Sequence, residues 1–391
     1  MSHYKYVIVG GGITADSAIQ GIRELDPNGG IALIGDDPNP PYNRPPLSKG
    51  LWKGKPLDSI WRKSTDESVN LFLGKTVNSI QTNKKTIRDN DGKMYTYEKL
   101  LLATGGAPRK LPFGGENIIY FRGLEDYQKL RAMCNKNKHF GVIGGGFIGS
   151  EISAALSMNN EKVTMVFPEE GIGAKVYPKD LSQFINDYYR VKGVEVMTGV
   201  NVVDLKKAKS SIVLVTDKNQ RIPVDIVIAG IGLVPNIELA RSAGLKVGKG
   251  ISVDRTLRTN DPDIFAAGDV AEFIQPDLGK LVRIEHEDNA NTMGKQAGRN
   301  MAGASELYHH LSYFYSDLFE LGYEAVGELD SRMEIFIDWK EPFKKGVIYY
   351  LAEGRVRGVL LWNTWDSVPA ARALIGEAGP FKPADLKNRL V

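Results

Sequence analysis

Short apolar runs alternate along the chain with stretches of helical periodicity, the pattern of strands feeding helices. A strand over Lys5–Val9 leads into a helix over Ala15–Glu24 and a second strand over Ile31–Ile34. The same arrangement recurs from Phe140–Ile143, through a helical stretch, to the strand Val163–Phe167. Each half then has a late buried strand that ends in glycine. Leu100–Ala103 runs into Thr104-Gly105-Gly106, and Ile226–Ala229 into Gly230-Ile231-Gly232. This is an internal repeat of one α/β design. Ile264–Ala267, followed by Gly268-Asp269, reads as a return to the first half. Beyond Leu311, Glu334–Trp339, Val347–Leu351 and Val356–Trp362 read as strands of a smaller α+β domain.

The turns after the two leading strands carry the chemistry. They read Gly10-x-Gly12-x-x-Ala15 and Gly144-x-Gly146-x-x-Gly149. Glycine lets the backbone turn sharply and approach a pyrophosphate, which then meets the free N–H groups and positive end of the following helix. One such motif is weak evidence. Two, each between a strand and a helix, predict two Rossmann-like nucleotide-binding domains. One site would hold a resident dinucleotide and the other an exchanging one, the plan of a flavoenzyme fed by a nicotinamide. The expected spans are 1–112 with 240–310 for the FAD-binding domain, 113–239 for the NAD(P)H-binding domain and 311–391 for the C-terminal domain. Ala107–Pro112 serves as a crossover.

Each turn has an acidic residue at the roughly 20-residue spacing that suits a ribose diol. These are Asp36 after the first turn and Glu169 after the second. A carboxylate there accepts from ribose hydroxyls and repels a 2′-phosphate, which favours NADH over NADPH. The alternative is that Glu169 and Glu170 only decorate a loop while Lys175 binds a phosphate.

Composition narrows the partners. The 391 residues are 42% hydrophobic and 25% charged, enough for two or three ordinary cores. A net charge of +3, with no basic stripe of interleaved aromatics, argues against nucleic acid. The clusters Lys206-Lys207-Ala208-Lys209 and Lys344-Lys345 are solvated surface or steer an acidic protein. The one cysteine, Cys134, falls in a helical stretch over Leu124–Asn135 and reads as structural. It leaves no disulfide framework, Cys-x₂-Cys metal site or redox-active cysteine pair. No leader precedes the first strand and no apolar run reaches about 18 residues, so the expected location is cytoplasmic without a membrane span.

Four further motifs carry a resemblance. They are Pro41-Tyr42-x-Arg44-Pro45-Pro46-Leu47-Ser48-Lys49, Ala103-Thr104-Gly105, Ala267-Gly268-Asp269-Val270 and Arg283-x-Glu285-His286-x-x-Asn289-Ala290. Together they resemble the FAD-dependent pyridine-nucleotide oxidoreductases of glutathione-reductase-type fold. Within these the chain is similar to the ferredoxin (putidaredoxin, rubredoxin) reductases and the apoptosis-inducing factor group. The latter is closest in the tail, at Tyr315-Ser316-Asp317-Leu318, Gly322–Gly327 and Val359–Asn363. Asn289 follows the oxygenase-reductase pattern where the apoptosis-inducing factor group usually has histidine. The leader and long insertion of the animal proteins are absent, so a mitochondrial or apoptotic role is not carried over.

The resemblance implies FAD contacts at Gly10, Gly12, Ala15, Asp36, Arg44, Lys49, Val77, Ala103, Thr104 and Gly105. It adds Asp269 on the ribitol, and Glu285 and His286 beside the flavin. Trp362 is either close to the flavin or a core tryptophan. For NAD it implies Gly144, Gly146, Phe147, Gly149, Glu169 and Gly232. Lys49 and Glu151 would pair on the nicotinamide side as the catalytic residues; the bland alternative for Glu151 is a carboxylate stabilised by the helix dipole alone.

The implied activity is hydride transfer from NADH to FAD, then electron delivery to a small 2Fe–2S ferredoxin or rubredoxin-type carrier, with no metal in the chain itself. A quinone, dioxygen or a monodehydroascorbate-like radical are the other acceptors. A slow NADH-responsive redox switch is the rival reading. The chain would act as a monomer or homodimer. One outcome is already testable. Glu169→Ala should weaken NADH binding more than NADPH binding, read as the ratio of the two apparent affinities; an unchanged ratio removes the stated preference.

Overall fold

The structure, a computed structural model, describes residues 2–63, 68–134, 137–208 and 211–390. Asn135, at the end of the expected Leu124–Asn135 helix, and Lys209 of the lysine cluster lie outside the described residues. Contacts group the chain into two compact units. The first comprises Met1–Asn43, Asp58–Ala107 and Val234–Tyr313; the second comprises Arg44–Leu57, Pro108–Leu233 and Phe314–Val391.

The first unit is built on a sheet whose parallel part runs in the order Val69–Leu73, Ile31–Gly35, Ser2–Val9 and Met94–Leu102, with Ile264–Ala266 added beside Met94–Leu102. Strands covered on both faces need apolar residues throughout rather than alternation. Ile31–Gly35 meets this condition, being buried at all five positions. The far edge turns antiparallel through Thr86–Asp89 and Val77–Gln81.

Two helices, Ile13–Leu25 and Glu287–Met301, cross against each other in this unit, and glycine sets how closely they approach. A Cβ on Gly298 would lie 2.0 Å from the carbonyl oxygen of Ala18, and one on Gly21 would lie 2.0 Å from that of Lys295. Neither obstacle is a flexible side chain.

The second unit begins with a parallel sheet in the order Val194–Met197, Lys162–Val166, His139–Ile143, Ile226–Ala229 and Ile118–Tyr120. Its tail forms an antiparallel sheet in the order Tyr313–Leu318, Leu321–Gly327, Arg355–Trp362, Lys345–Ala352 and Glu334–Glu341. The last three were legible as alternating strands. Tyr313–Leu318 and Leu321–Gly327 were not, because their turn is built on Phe319 at φ +62°. A bulky residue in the left-handed region gives no turn signal in a sequence.

The grouping differs from the expected spans in two places: Phe314–Val391, expected as a separate domain, joins the second unit, and so does one excursion of the first span. Arg44–Leu57 falls within the span 1–112 yet groups with the second unit. Its base is pinched in the first unit, where Tyr42 bridges Trp61 and the Asn43 amide donates to the Ile60 carbonyl. Beyond that neck its contacts are with the second unit, including the tail strand, where Lys53 pairs with Asp317 at 3.3 Å. The Asn159 side chain donates to the Trp52 carbonyl, the Trp52 ring meets Tyr127 edge-on, and the Arg131 guanidinium covers Trp52.

The helix crossing yields a stability prediction. Gly298→Ala must push two backbones apart and should destabilise the protein by about 1–3 kcal/mol. Urea unfolding followed by far-UV circular dichroism will read this as a lower midpoint.

Candidate functional site

Each unit carries a backbone cradle at a helix start. In the first unit, Gly10 holds φ +120°, and a Cβ there would sit 2.2 Å from the Ala103 carbonyl oxygen. The turn therefore packs directly on the strand end that continues into Thr104 and Gly105. Gly12 is the N-cap of helix Ile13–Leu25 with no side-chain cap, and nothing lies within 4 Å of where its Cβ would be. The first amides of a 13-residue helix thus face open space. Such uncapped N–H groups suit a phosphate, which both the hydrogen bonds and the dipole favour. Ala15 is fully buried under this turn.

Other expected residues cluster around the same cradle. The Thr104 hydroxyl donates to the Asn236 carbonyl at 2.8 Å, and the Asn236 amide returns a bond to the Thr104 carbonyl at 2.8 Å. Asp269 lies in the short turn Gly268–Val270, where a Cβ on Gly268 would meet the Thr14 hydroxyl at 2.2 Å. The Asp269 carbonyl accepts from Arg283, which also pairs with Glu285 at 2.6 Å. Asp36 is exposed just past its strand. Val77 is buried in the sheet, so its side chain belongs to the core.

His286 is the N-cap of helix Glu287–Met301 and makes no side-chain cap bond. Burial pulls its pKa down to about 4 against the opposing attraction of Asp269 and Asp288, so the imidazole is neutral at pH 7. Asn289, in the next turn, is fully buried; its carbonyl oxygen accepts from Tyr308 and Ser312, and its amide donates to the Ile284 carbonyl.

The second unit repeats the cradle. Gly144 holds φ +115° against the Gly230 carbonyl, and a Cβ on Gly149 would lie 2.0 Å from the Gly144 oxygen. Gly146 is an uncapped N-cap with open space in front of it. Gly232, at φ +97°, lies past the late strand. Phe147 is 38% exposed, with its ring 5.4 Å from that of Phe314.

Within this second unit the helix Phe147–Met158 also carries Glu151, which is 4% exposed. Its Oε1 accepts from Lys49 Nζ at 2.7 Å and from the Ser316 hydroxyl at 2.6 Å; its Oε2 accepts from the Ser48 hydroxyl at 2.6 Å. Lys49 is 11% exposed and sits 5.2 Å over the Tyr315 ring. A buried carboxylate with both oxygens satisfied and a cation in contact is a stable arrangement, whereas removing one charge leaves the other stranded at a cost of about 3–5 kcal/mol. The resemblance named Lys49 and Glu151. It did not give Ser48 and Ser316 a role, and no local signal could have, since they reach Glu151 across 103 and 165 residues of chain.

Glu169 pairs with Lys175 at 2.8 Å, and Glu170 with Lys179 at 3.1 Å. All four line a cavity of about 800 Å³ together with Tyr177 and Ser182. The loop that carries these residues is tied to the turn before helix Phe147–Met158, since the Gly173 amide donates to the Gly145 carbonyl at 2.9 Å.

Trp362 is 0% exposed, stacked on Tyr323 at 6.0 Å and edge-on to Tyr177, with its indole N–H donated to the Phe343 carbonyl. These contacts are those of a core tryptophan. Arg44 makes no side-chain hydrogen bond or ion pair among the described residues, so its planar fork remains available to an anion. Cys134 is buried, its thiol is raised to about 11 by desolvation, and it bonds the Leu130 carbonyl. Such a thiol is inert. Among the described residues no acidic, histidine or cysteine cluster could hold a metal ion, and no helix is long and apolar enough to cross a membrane.

Comparison with known proteins agrees with this geometry. A family model described as pyridine nucleotide-disulphide oxidoreductase matches residues 4–294. A second, described as the C-terminal domain of mitochondrion-associated apoptosis-inducing factor, matches 297–339 and 337–377. The chain is 32% identical to mitochondrial apoptosis-inducing factor 1 of Dictyostelium discoideum, over 96% of this chain and 79% of that protein. It is also 32% identical to putidaredoxin reductase CamA of Pseudomonas putida, over 96% and 93%. The crystal structure of a covalent putidaredoxin reductase–putidaredoxin complex superposes with a TM-score of 0.91 at 30% identity, covering 98% of this chain and 95% of that one. With two glycine cradles, a Lys49–Glu151 pair and a lone inert thiol, the chain belongs to the pyridine nucleotide-disulphide oxidoreductase family and ends in a domain of the apoptosis-inducing factor type.

Proposed function

We propose that this protein is an FAD-dependent reductase that takes a hydride from NADH and passes electrons singly to a small iron–sulfur protein. The observation that carries this reading is the buried Lys49–Glu151 pair, held by Ser48 and Ser316, in a chain whose one cysteine is an inert core thiol. Members of the superfamily that reduce disulfides need a cysteine pair; here the segment Leu47-Ser48-Lys49 offers a hydroxyl and an ammonium instead.

Gly10, Gly12 and Ala15 would seat the FAD pyrophosphate on the first helix, with Arg44 and Asp269 beside the phosphates and ribitol. Gly144, Gly146 and Gly149 would seat that of the nicotinamide coenzyme, with Phe147 and Gly232 lining its approach. When bound, FAD supplies the step from two-electron hydride acceptance to one-electron release. The protein's part is orientation and charge. Lys49 offers a fixed positive charge on the nicotinamide side, and Glu151 keeps that ammonium from swinging to solvent. The positive end of the helix that starts at His286 would favour negative charge on a reduced ring, while His286, neutral through burial, would be a neighbour rather than a proton donor.

NADH is the proposed coenzyme. Glu169 lines a cavity in the same unit as the second cradle, and its neighbouring cations Lys175 and Lys179 are already paired. The named activities of relatives support the carrier as acceptor. They include putidaredoxin reductase and the ferredoxin–NAD(+) reductase component of a Burkholderia cepacia anthranilate dioxygenase system. The apoptosis-inducing factor type of tail favours one rival, a slow redox switch.

Anaerobic stopped-flow reduction by NADH, followed by mixing with a 2Fe–2S ferredoxin, a quinone and air, separates the two. Rapid reoxidation by ferredoxin is expected; a reduced flavin that outlasts all three acceptors would favour the switch. In the same experiment Glu151→Gln should slow flavin reduction by about 10- to 100-fold, the penalty typical of a misplaced catalytic group. An unchanged reduction rate would remove the pair from the hydride step.

A further inference from the structure

The cavity beside Glu169 has a wall that the nucleotide-binding turn does not supply. Leu329, Asp330, Ser331 and Arg332, from the loop after strand Leu321–Gly327 of the C-terminal sheet, line it together with the Glu169–Lys175 segment. The loop is fastened there, because the Ser331 amide donates to the Lys175 carbonyl at 3.0 Å. Asp330 then organises Arg332. Its Oδ1 accepts from the Arg332 backbone amide at 2.9 Å and from Nε at 2.9 Å, and its Oδ2 accepts from the guanidinium as well.

The charges of this cavity are balanced pair by pair. Lys175 is held by Glu169, Lys179 by Glu170 and Arg332 by Asp330. A neutral ribose diol meets no penalty in such a site. A 2′-phosphate, at a charge of about −1.5 to −2 near pH 7, needs a cation released to it. Of the three cations, arginine is the best suited, since its planar fork matches phosphate with two parallel hydrogen bonds. Asp330 occupies one edge of that fork, at Nε and Nη2, and fixes its orientation.

We propose that Asp330 is a second coenzyme-specificity residue, contributed by the C-terminal domain, which denies the cavity a phosphate clamp by holding the Arg332 guanidinium. The inference rests on the reading of Glu169 as the ribose-binding carboxylate. It extends that reading to a second residue lining the pocket and gives the tail domain a part in choosing the electron donor. Arg332 is 87% exposed, so its pair with Asp330 is screened and the effect should be modest.

Titration calorimetry of the FAD-loaded protein with NAD⁺ and NADP⁺ tests this without turnover. Asp330→Asn keeps an acceptor for the Arg332 backbone amide, so the loop retains its turn while the charge is lost. The NADP⁺ to NAD⁺ ratio of dissociation constants should fall by about two- to fivefold, the scale of a screened charge pair. That gain should disappear when Arg332→Gln is added, because the clamp is then gone. Raising the salt concentration should also diminish it. An unchanged ratio in Asp330→Asn, or a gain that survives Arg332→Gln, overturns the proposal. Glu169→Gln separates the two levels of inference. If it shifts the ratio and Asp330→Asn does not, only the second residue falls; if neither does, the NADH reading falls too.

Discussion

The Glu151 carboxylate is the contact around which the second unit's functional geometry is organised. It draws in Lys49 and Ser48 from the excursion Arg44–Leu57 and Ser316 from the first strand of the tail sheet, and sits itself on the helix that opens at Gly146. A buried carboxylate without partners would be strongly unfavourable. Four groups from three distant stretches of chain are therefore fixed relative to one another by one electrostatic requirement. The tail sheet thereby contributes a residue to a constellation that otherwise belongs to the nucleotide-binding half.

The second constraint is steric, and it recurs in both units. Where a strand turns into a nucleotide-binding helix, the backbone of the turn passes within contact of a later strand end, at Ala103 in one case and Gly230 in the other. Side chains are excluded there, and the same absence leaves Gly12 and Gly146 with open space before uncapped amides. Close packing behind and exposed N–H groups in front come from the same residues. The anion site is thus a by-product of how tightly each turn must pack.

Electrostatics around the cavity at Glu169 work by cancellation rather than by strong charge. Glu169, Glu170 and Asp330 each hold a cation, so the lining presents hydrogen-bonding groups with little net potential. The start of helix Glu287–Met301 behaves differently. There His286, at the N-cap, is kept neutral by burial, so it adds no charge to the positive end of the helix dipole.

Much of this was determined by the chain alone. Continuous apolar runs dictated the parallel strands, the spacing of Gly10, Gly12, Gly144, Gly146 and Gly149 dictated two anion cradles, and a single cysteine ruled out dithiol chemistry. These are local facts, set by backbone sterics and by which atoms the chain possesses. The sequence also named Lys49 and Glu151 through motifs, without any reason visible in either neighbourhood for them to meet. Tertiary structure decided the rest: that Ser48 and Ser316 complete the carboxylate's hydrogen bonds, that Arg44–Leu57 joins the second unit, that Trp362 is enclosed among Tyr177 and Tyr323, and that Asp330 and Arg332 line one cavity with Glu169. Each of these depends on residues far apart in the chain satisfying one another's charge, hydrogen bonds or shape, and such pairings leave no periodicity or spacing to read.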